Sequence, residues 1–296
     1  MDYSLEHLKG RSFYVPGRVN LGIYVMEEGT CFIDSGADES SGRALYRLLE
    51  REGFSLKTII NTHSNADHVG GNEYLQKKTD CSIITTEKEG FITSFPEMEP
   101  LLLWSAFPFK DLRNKFLQAR PSRVTSHCSN HGPIENTPLE SFPLPGHFID
   151  MIGVRTPDDV CYIADSLFSR EIIGKYRLIF TYDVAAALKT LDFLSGLEAS
   201  FFVPCHAPVT SDIGDLVKVN RDALLKTGED IVQGCCSEPL SREDILAHLC
   251  RLYQLELNPT QYVLNLATIS AHLSFLADNG KLEPFAAEGR LFWRKK

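Results

Sequence analysis

The stretch Thr62-His63-Ser64-Asn65-Ala66-Asp67-His68, followed by Val69-Gly70-Gly71-Asn72, decides how the rest of the chain is read. A β-branched run, Thr58-Ile59-Ile60, precedes it, and a segment of helical character, NEYLQKK, follows the glycine pair. Such a strand empties into a loop that carries two histidines and an aspartate, then turns into a helix. Metal-capable side chains are thereby gathered at one strand end. Neutral imidazole and carboxylate are the ligands that borderline divalent cations such as zinc prefer. Asp67 and His68 are adjacent and diverge, so they would serve one ion from different sides, or two ions. The loop position matters, because helical metal motifs place histidines four apart and strands place them two apart. The plain alternative is a strand-to-helix turn with incidental histidines.

Composition narrows the classes. The 296 residues suffice for one large domain and a small one, and 43% hydrophobic content supports a substantial core. No apolar run approaches a membrane span, and the polar start MDYSLEHLKGRSFYVPG predicts no secretory signal peptide. Eight cysteines lie in mostly apolar contexts such as TCFID and VCYIA, which predicts buried thiols and a cytoplasmic, reducing compartment. The vicinal pair Cys235-Cys236 reads as two thiols near a helix end. A net charge of −9 does not favour a polyanionic partner.

Outward from the organising loop, Ser12 to Val15, Leu21 to Met26 and Thr30 to Ile33 read as strands, with Glu28-Gly29 as a hairpin turn. The third ends in Asp34-Ser35-Gly36. Ser40 to Glu52 is an amphipathic helix with Ala44, Leu45, Leu48 and Leu49 on one face. Ser82 to Thr85 is a further strand. The segment from about 91 to 120 is rich in large apolar residues, among them Leu101, Leu102, Leu103, Trp104, Phe107 and Phe109. It predicts a helical insertion, with core packing favoured over a substrate lid or a homodimer contact. His127, Cys128 and His131 read as a turn-rich loop rather than a second metal cluster.

The second half repeats the pattern of metal-capable residues at strand ends. Ser141 to Leu144 leads to Pro145-Gly146-His147. Met151 to Arg155 and Val160 to Ala164 pair across a Pro157-Asp158-Asp159 turn, and Asp165 follows directly. A helix, Val184 to Ser195, and a buried strand, Phe201 to Pro204, deliver Cys205-His206. If His206 faces a metal, alternation along the chain turns Cys205 towards the core.

In its order of ligand-capable residues, His63, Asp67, His68, His147, Asp165 and His206, the chain resembles the metallo-β-lactamase superfamily over about 190 residues. The family motif HxHxDH is matched at His63, Asp67 and His68, with Asn65 standing where the second histidine belongs. The resemblance implies an α/β fold, a four-layer αβ/βα sandwich with metals in a cleft at one sheet edge. It implies that His63, Asn65 and His147 hold a first metal, that Asp67, His68 and His206 hold a second, and that Asp165 bridges them. Asp34 takes a supporting role and Asp67 also orients or deprotonates the attacking water. One or two zinc ions are implied, with iron or manganese as the alternative for an oxygen-richer set, since an amide oxygen is a weaker donor to zinc than imidazole.

Asp212 to Gly234 reads as a connecting helix closing a domain of residues 1–234. Residues 235–296 then run helix (Ser241 to Tyr253), longer helix (Gln261 to Asp278) and two short strands through Glu288-Gly289. This resembles a winged helix-turn-helix. The helix that would read a groove, QYVLNLATISAHLSFLAD, contains no Lys or Arg, so a structural or pocket-bordering role is favoured over nucleic-acid binding. Two readings of function follow. One is a metal-dependent hydrolase of a small ester, thioester or lactone, similar to the glyoxalase II and lactonase branches, with a phosphodiesterase or ribonuclease as its variant. The other is a non-hydrolytic binding module with a partly degraded metal site.

Overall fold

The computed structural model describes residues 3–296, so Met1 and Asp2, at the head of the polar start, lie outside it. The first sheet holds β1 (Glu6–Lys9), β2 (Ser12–Val15), β3 (Leu21–Met26), β4 (Gly29–Ile33), β5 (Leu56–Ile60), β6 (Ser82–Thr85) and β7 (Ser126–His127) in sequence order. Its first four strands are antiparallel; from β4 onward the pairing is parallel. The second sheet holds β8 (Gly132–Pro133), β9 (Glu140–Pro143), β10 (Ile152–Arg155), β11 (Val160–Tyr162) and β12 (Phe201–Val203). Only its β11–β12 pair is parallel. Parallel pairing needs a crossover, and helices supply it.

Those helices are α1 (Glu39–Glu52), the single-turn α2 (Ala66–Val69), α3 (Asn72–Thr79), α4 (Glu87–Ser94), α5 (Met98–Trp104), α6 (Arg170–Tyr176), α7 (Val184–Ser195) and α8 (Gly214–Gly234). Leu45, Leu48 and Leu49 of α1 and Leu75 of α3 pack with Ile23, Phe32, Ile59 and Ile83 on one face of the first sheet. The other face, through Tyr24, Cys31, Ile33 and Ile60, meets Ile152, Val154, Val160 and Val203 of the second sheet. Leu191 and Leu194 of α7 and Val217 of α8 cover the second sheet's far side. Helix, sheet, sheet, helix is the four-layer α/β sandwich expected, and the central strands β4, β6, β10 and β11 are buried on both faces over most of their length, which explains their near-continuous apolar runs.

The remaining elements are β13 (Leu240–Ser241), α9 (Arg242–Tyr253), α10 (Pro259–Asp278), β14 (Leu282–Ala287) and β15 (Arg290–Lys295). Capping boxes at Ser241–Asp244 and Asn258–Gln261 start the two helices. Glu288 and Gly289, both with positive φ, make the two-residue turn between β14 and β15. This group shares an apolar cluster with Leu178 and with Ile231 of α8. Among the described residues no helix is long and apolar enough to cross a membrane.

Core packing is not what the 91–120 segment does with most of its large side chains. Phe91, Phe95, Leu102, Trp104, Phe107 and Phe109 are exposed, Phe107 by 77%. Leu112 and Leu117 are buried instead, packed with Val263 of α10. Two short helices and a 3-10 turn at Lys110–Leu112 replace a continuous cap, because Pro96 and Pro108 stand in the gaps between them.

Candidate metal centre

The loop from Thr62 to His68 hangs from the end of β5 on three supports. Asp34, at the end of β4, accepts from the Thr62 N–H at 2.8 Å and from its hydroxyl at 2.7 Å. It also meets His68 Nδ1 at 2.8 Å. Asp34 sits at φ 64°, a left-handed conformation that costs a non-glycine residue energy and aims the carboxylate back under the loop. Gly70 and Gly71 close the other side. A Cβ on Gly70 would lie 2.3 Å from the backbone of Ala37, and one on Gly71 2.3 Å from the Ser35 carbonyl oxygen.

The third support was not legible in the sequence. Glu89 of α4 is fully buried and accepts from the Ser64 N–H at 3.0 Å, the Ser64 hydroxyl at 2.6 Å and the Asp150 N–H at 2.7 Å. It ties the histidine loop to the loop that carries His147. Burial raises its carboxyl to about 7, against which those hydrogen bonds pull only partly.

All four histidines present Nε2 to one place. His63 Nδ1 bonds the Thr62 hydroxyl (3.0 Å), and that hydroxyl is already donating to Asp34, so the ring must be the donor. His147 Nδ1 donates to the Phe180 carbonyl at 3.0 Å and His206 Nδ1 to the Arg18 carbonyl at 3.0 Å. A carbonyl only accepts, so Nδ1 carries the proton in both. His147 follows Gly146, whose φ of 127° and closeness to Ala187 of α7 exclude a side chain. Asp165 lies on a 3-10 turn, Ala164–Ser166, which begins where the sequence predicts the last strand residue. Its oxygens stand 3.3 Å from His68 Nε2, 3.6 Å from His147 Nε2 and 3.1 Å from His206 Nε2. Asp67, with a side chain 42% exposed, reaches to 3.6 Å from His206 Nε2.

Two donor groups result. His63, His147 and Asp165 offer atoms within 4.8 Å of one another, and so do Asp67, His68 and His206. Among the described residues, His63 Nε2, His68 Nε2 and Asp165 Oδ1 are buried with no hydrogen-bond partner of acceptable geometry. Orphaned buried donors and acceptors are costly, and here they point at one space. A divalent cation fits that donor set, with imidazole and carboxylate as its ligands.

The charges are poised accordingly. Burial disfavours a cationic His68, yet Asp165, Asp67 and Asp34 outweigh it and hold its pKa well above the ordinary value. His206 is raised to about 10 against its own burial by Asp165 and Asp67. His63 and His147 are lowered, chiefly by burial. For Asp165 burial pushes up, but His206 and His68 prevail and hold the carboxyl well below its usual range. Protons or a metal ion can take up the carboxylates' charge, and the two compete.

Asn65 sits between. Its Oδ1 is 3.1 Å from His147 Nε2 and its Nδ2 donates to Glu99 Oε1 at 2.9 Å. With Nδ1 of His147 donating to Phe180, its Nε2 faces Asn65 Oδ1 with a lone pair, and a cation held by both atoms would satisfy them. Glu99, on α5 and 5% exposed, is held well above the carboxylate range by burial and by Asp67. No pattern around EMEP separates this buried glutamate from a surface one. Phe168 stacks on His206 (ring centroids 5.4 Å apart, planes 9° apart) and Phe180 meets His147 edge-on, giving the centre an apolar wall.

Three other expectations meet the structure here. Cys205 is buried, as alternation predicts, and burial raises its thiol to about 12. Its sulfur also joins Asp34 and His68 in a group within 4.8 Å, because the loops after β4, β5 and β12 converge at one end of the sandwich. His127 and His131 are exposed and form no metal-capable cluster with Cys128 among the described residues. Among the described residues the cysteines are free.

The Metallo-beta-lactamase superfamily description matches residues 14–206, close to two thirds of the chain and from β2 to His206. A hydroxyacylglutathione hydrolase of Rhodopseudomonas palustris is 30% identical over 156 residues, covering 50% of this chain and 51% of that protein. One from Nitrobacter hamburgensis is 25% identical over 222 residues, covering 72% and 73%. The chain thus spans about half the length of the Rhodopseudomonas relative. In structure it is similar to a beta-lactamase domain protein from Burkholderia ambifaria, with a TM-score of 0.78 at 15% identity over 99% of this chain and 94% of that one. A metallo-beta-lactamase family protein from Thermus thermophilus aligns with a TM-score of 0.73 at 17% identity over 94% of both. With the four-layer sandwich and the convergent histidines already in place, the chain belongs to the metallo-beta-lactamase superfamily.

Proposed function

We propose that this protein is a metal-dependent hydrolase of a small thioester, with esters and lactones as related substrates. The observation that carries the reading is the convergence of four Nε2 atoms and two carboxylates, three of the inward atoms orphaned. His63, Asn65 and His147 would hold one ion, Asp67, His68 and His206 another, and Asp165 lies between the two groups. Zinc suits the imidazoles, while iron or manganese suits the oxygen that Asn65 substitutes. Such an ion supplies the Lewis acidity that makes water nucleophilic near neutral pH and polarises a carbonyl. The rest is the protein's own. Asp67, partly exposed and kept ionised by His68 and His206, accepts a hydrogen bond from the water and orients it. Phe168 and Phe180 limit solvent at the reacting carbon, and Asp34 and Glu89 keep the histidine loop fixed. Likeness to hydroxyacylglutathione hydrolases supports a thioester over the other acyl substrates.

We take residues 1–234 as the catalytic domain and 235–296 as winged-helix-like, since two capped helices there are followed by an antiparallel hairpin. A small molecule is the partner, with no role for nucleic acid or membrane. The exposed Phe91, Phe95, Leu102 and Trp104 suit a homodimer contact. Free thiols suit the cytoplasm.

The test combines elemental analysis with a hydrolysis panel of thioesters, lactones and bis-phosphodiesters. Thioester turnover should vanish on chelation and return with zinc. Cys205→Ala should stay within about threefold of wild type, because a thiol with so high a pKa is no nucleophile, whereas His206→Ala should lose ~100-fold or more. Activity that survives exhaustive chelation and dies with Cys205→Ala would sink the reading, and turnover of bis-phosphodiesters alone would move it to the nuclease branch.

A further inference from the structure

A cavity of about 60 Å³ adjoins the metal centre, lined by His147 and Asp165 together with Leu191 of α7, Leu224 of α8 and His272 of α10. One water needs about 10–15 Å³ on this measure, so the space takes roughly four to six non-hydrogen atoms. Its lining is largely apolar, and the polar side chains away from the metal centre are mostly spoken for. The hydroxyls of Thr181, Thr190, Thr227 and Thr268 donate to the carbonyls of Ile179, Pro145, Ala223 and Leu264. Asn220 bonds the backbone of Phe168 through both ends of its amide. Arg177, also on the wall, is solvent-exposed.

His272 differs. It is 1% exposed, and neither ring nitrogen has a hydrogen-bond partner among the described residues. Burial lowers its pKa to about 4, so the imidazole is neutral at neutral pH. A neutral imidazole offers one donor and one acceptor. Left unmatched in a buried site, both are costly. The ligand that satisfies them is uncharged and can itself donate and accept.

We infer that this cavity is the acyl pocket of the hydrolase and that His272 is its specificity residue, recognising a hydroxyl or carboxamide at the far end of a short acyl chain. The inference rests on the hydrolase reading above, and it concerns the acyl side of the substrate, leaving the thiol side unassigned. It gives α10 a function: the helix carries a polar contact into a pocket that the catalytic sandwich alone leaves open on one side.

The zinc-loaded full chain is assayed with N-acetylcysteamine thioesters of butyrate, of 2-, 3- and 4-hydroxybutyrate and of succinamate. In wild type the best hydroxyl- or amide-bearing substrate should exceed butyryl in kcat/KM by about tenfold or more, as expected of a site built to pair a buried polar group. His272→Leu should bring that ratio to within about twofold of one, mainly through KM, and His272→Gln, which keeps a donor and an acceptor, should recover part of it. Which substrate leads separates the hydroxyl from the carboxamide. In parallel, calorimetry compares the free acids with butyrate, whose shared carboxylate cancels in the ratio. A His272-dependent preference in binding, with no thioester turned over, keeps His272 as the polar recognition group of this cavity but removes the hydrolase reading and, with it, the cavity's role as an acyl pocket. Turnover with a ratio unchanged in folded His272→Leu, or a wild type that favours butyryl, overturns the inference and leaves the hydrolase standing. A pocket that holds ordered water only, with no preference in rate or binding, overturns it as well.

Discussion

Asn65 is the residue at which this chain departs from its family's motif, and Glu99 explains how the departure is accommodated. A free amide can present oxygen or nitrogen; the bond from Nδ2 to Glu99 fixes the oxygen towards His147. On the assignment proposed above, the donor set at that side would be two imidazoles, an amide oxygen and Asp165, weaker for zinc than its neighbour of two imidazoles and two carboxylates. Zinc titrated into the apo-protein should reveal one tight and one distinctly weaker site. Asn65→His should tighten the weaker one by about tenfold, and Glu99→Leu, which frees the amide to rotate, should loosen it by a similar factor. Two equally tight sites in the wild type would refute this. The six histidine and aspartate positions were legible because His63, His147, Asp165 and His206 each follow an apolar run closely and Asp67 and His68 share the loop of the first. Glu89 and Glu99 were not, since a buried carboxyl leaves no periodic trace when its partners are backbone N–H groups and an amide on distant loops.

At the scale of elements, period and turn chemistry located most of the sandwich strands and the long helices, because apolar alternation and caps are written locally, but they missed the short edge strands β1, β7 and β8. They failed for the 91–120 segment, where a run of large apolar residues faces outward, and for α6, whose seven residues bury none of their number fully. They also left α10 ambiguous: its sequence is apolar nearly all round, and only the structure distributes that surface among α5, α7, α8 and α9. His272 makes this packing pH-sensitive. Its folded pKa of about 4 lies below the ordinary 6.5, so its contribution to stability is complete above about 6.5 and is lost as pH falls towards 4. The full span corresponds to about 3 kcal/mol. Urea unfolding at pH 7 and pH 5 should show a smaller acid loss for His272→Leu than for wild type. An equal loss in both would show that the imidazole is already free to protonate in the fold.

Over the whole molecule, the C-terminal elements are joined to the sandwich by burial rather than set apart for a partner. Val263, Leu266, Ile269, Leu273 and Leu276 of α10 are buried, so the helix that a winged-helix protein would offer to a groove is used up in contacts with its own chain. It carries no Lys or Arg, and the chain's net charge is −9. Affinity for duplexes comes mostly from cations placed on phosphates and the counterions they release. The basic residues at the end of the chain, Arg294, Lys295 and Lys296, do not remedy this, because Arg294 is already paired with Glu283 across the hairpin. Binding to duplex DNA or single-stranded RNA at about 150 mM salt should therefore be no tighter than roughly 10 µM and indifferent to sequence, within the range of non-specific association. Fluorescence anisotropy with labelled oligonucleotides at several salt concentrations measures both points. A nanomolar, sequence-dependent complex with a steep salt slope would mean that the hairpin or another face supplies the contacts, and it would favour the nucleic-acid-binding module over the small-molecule hydrolase.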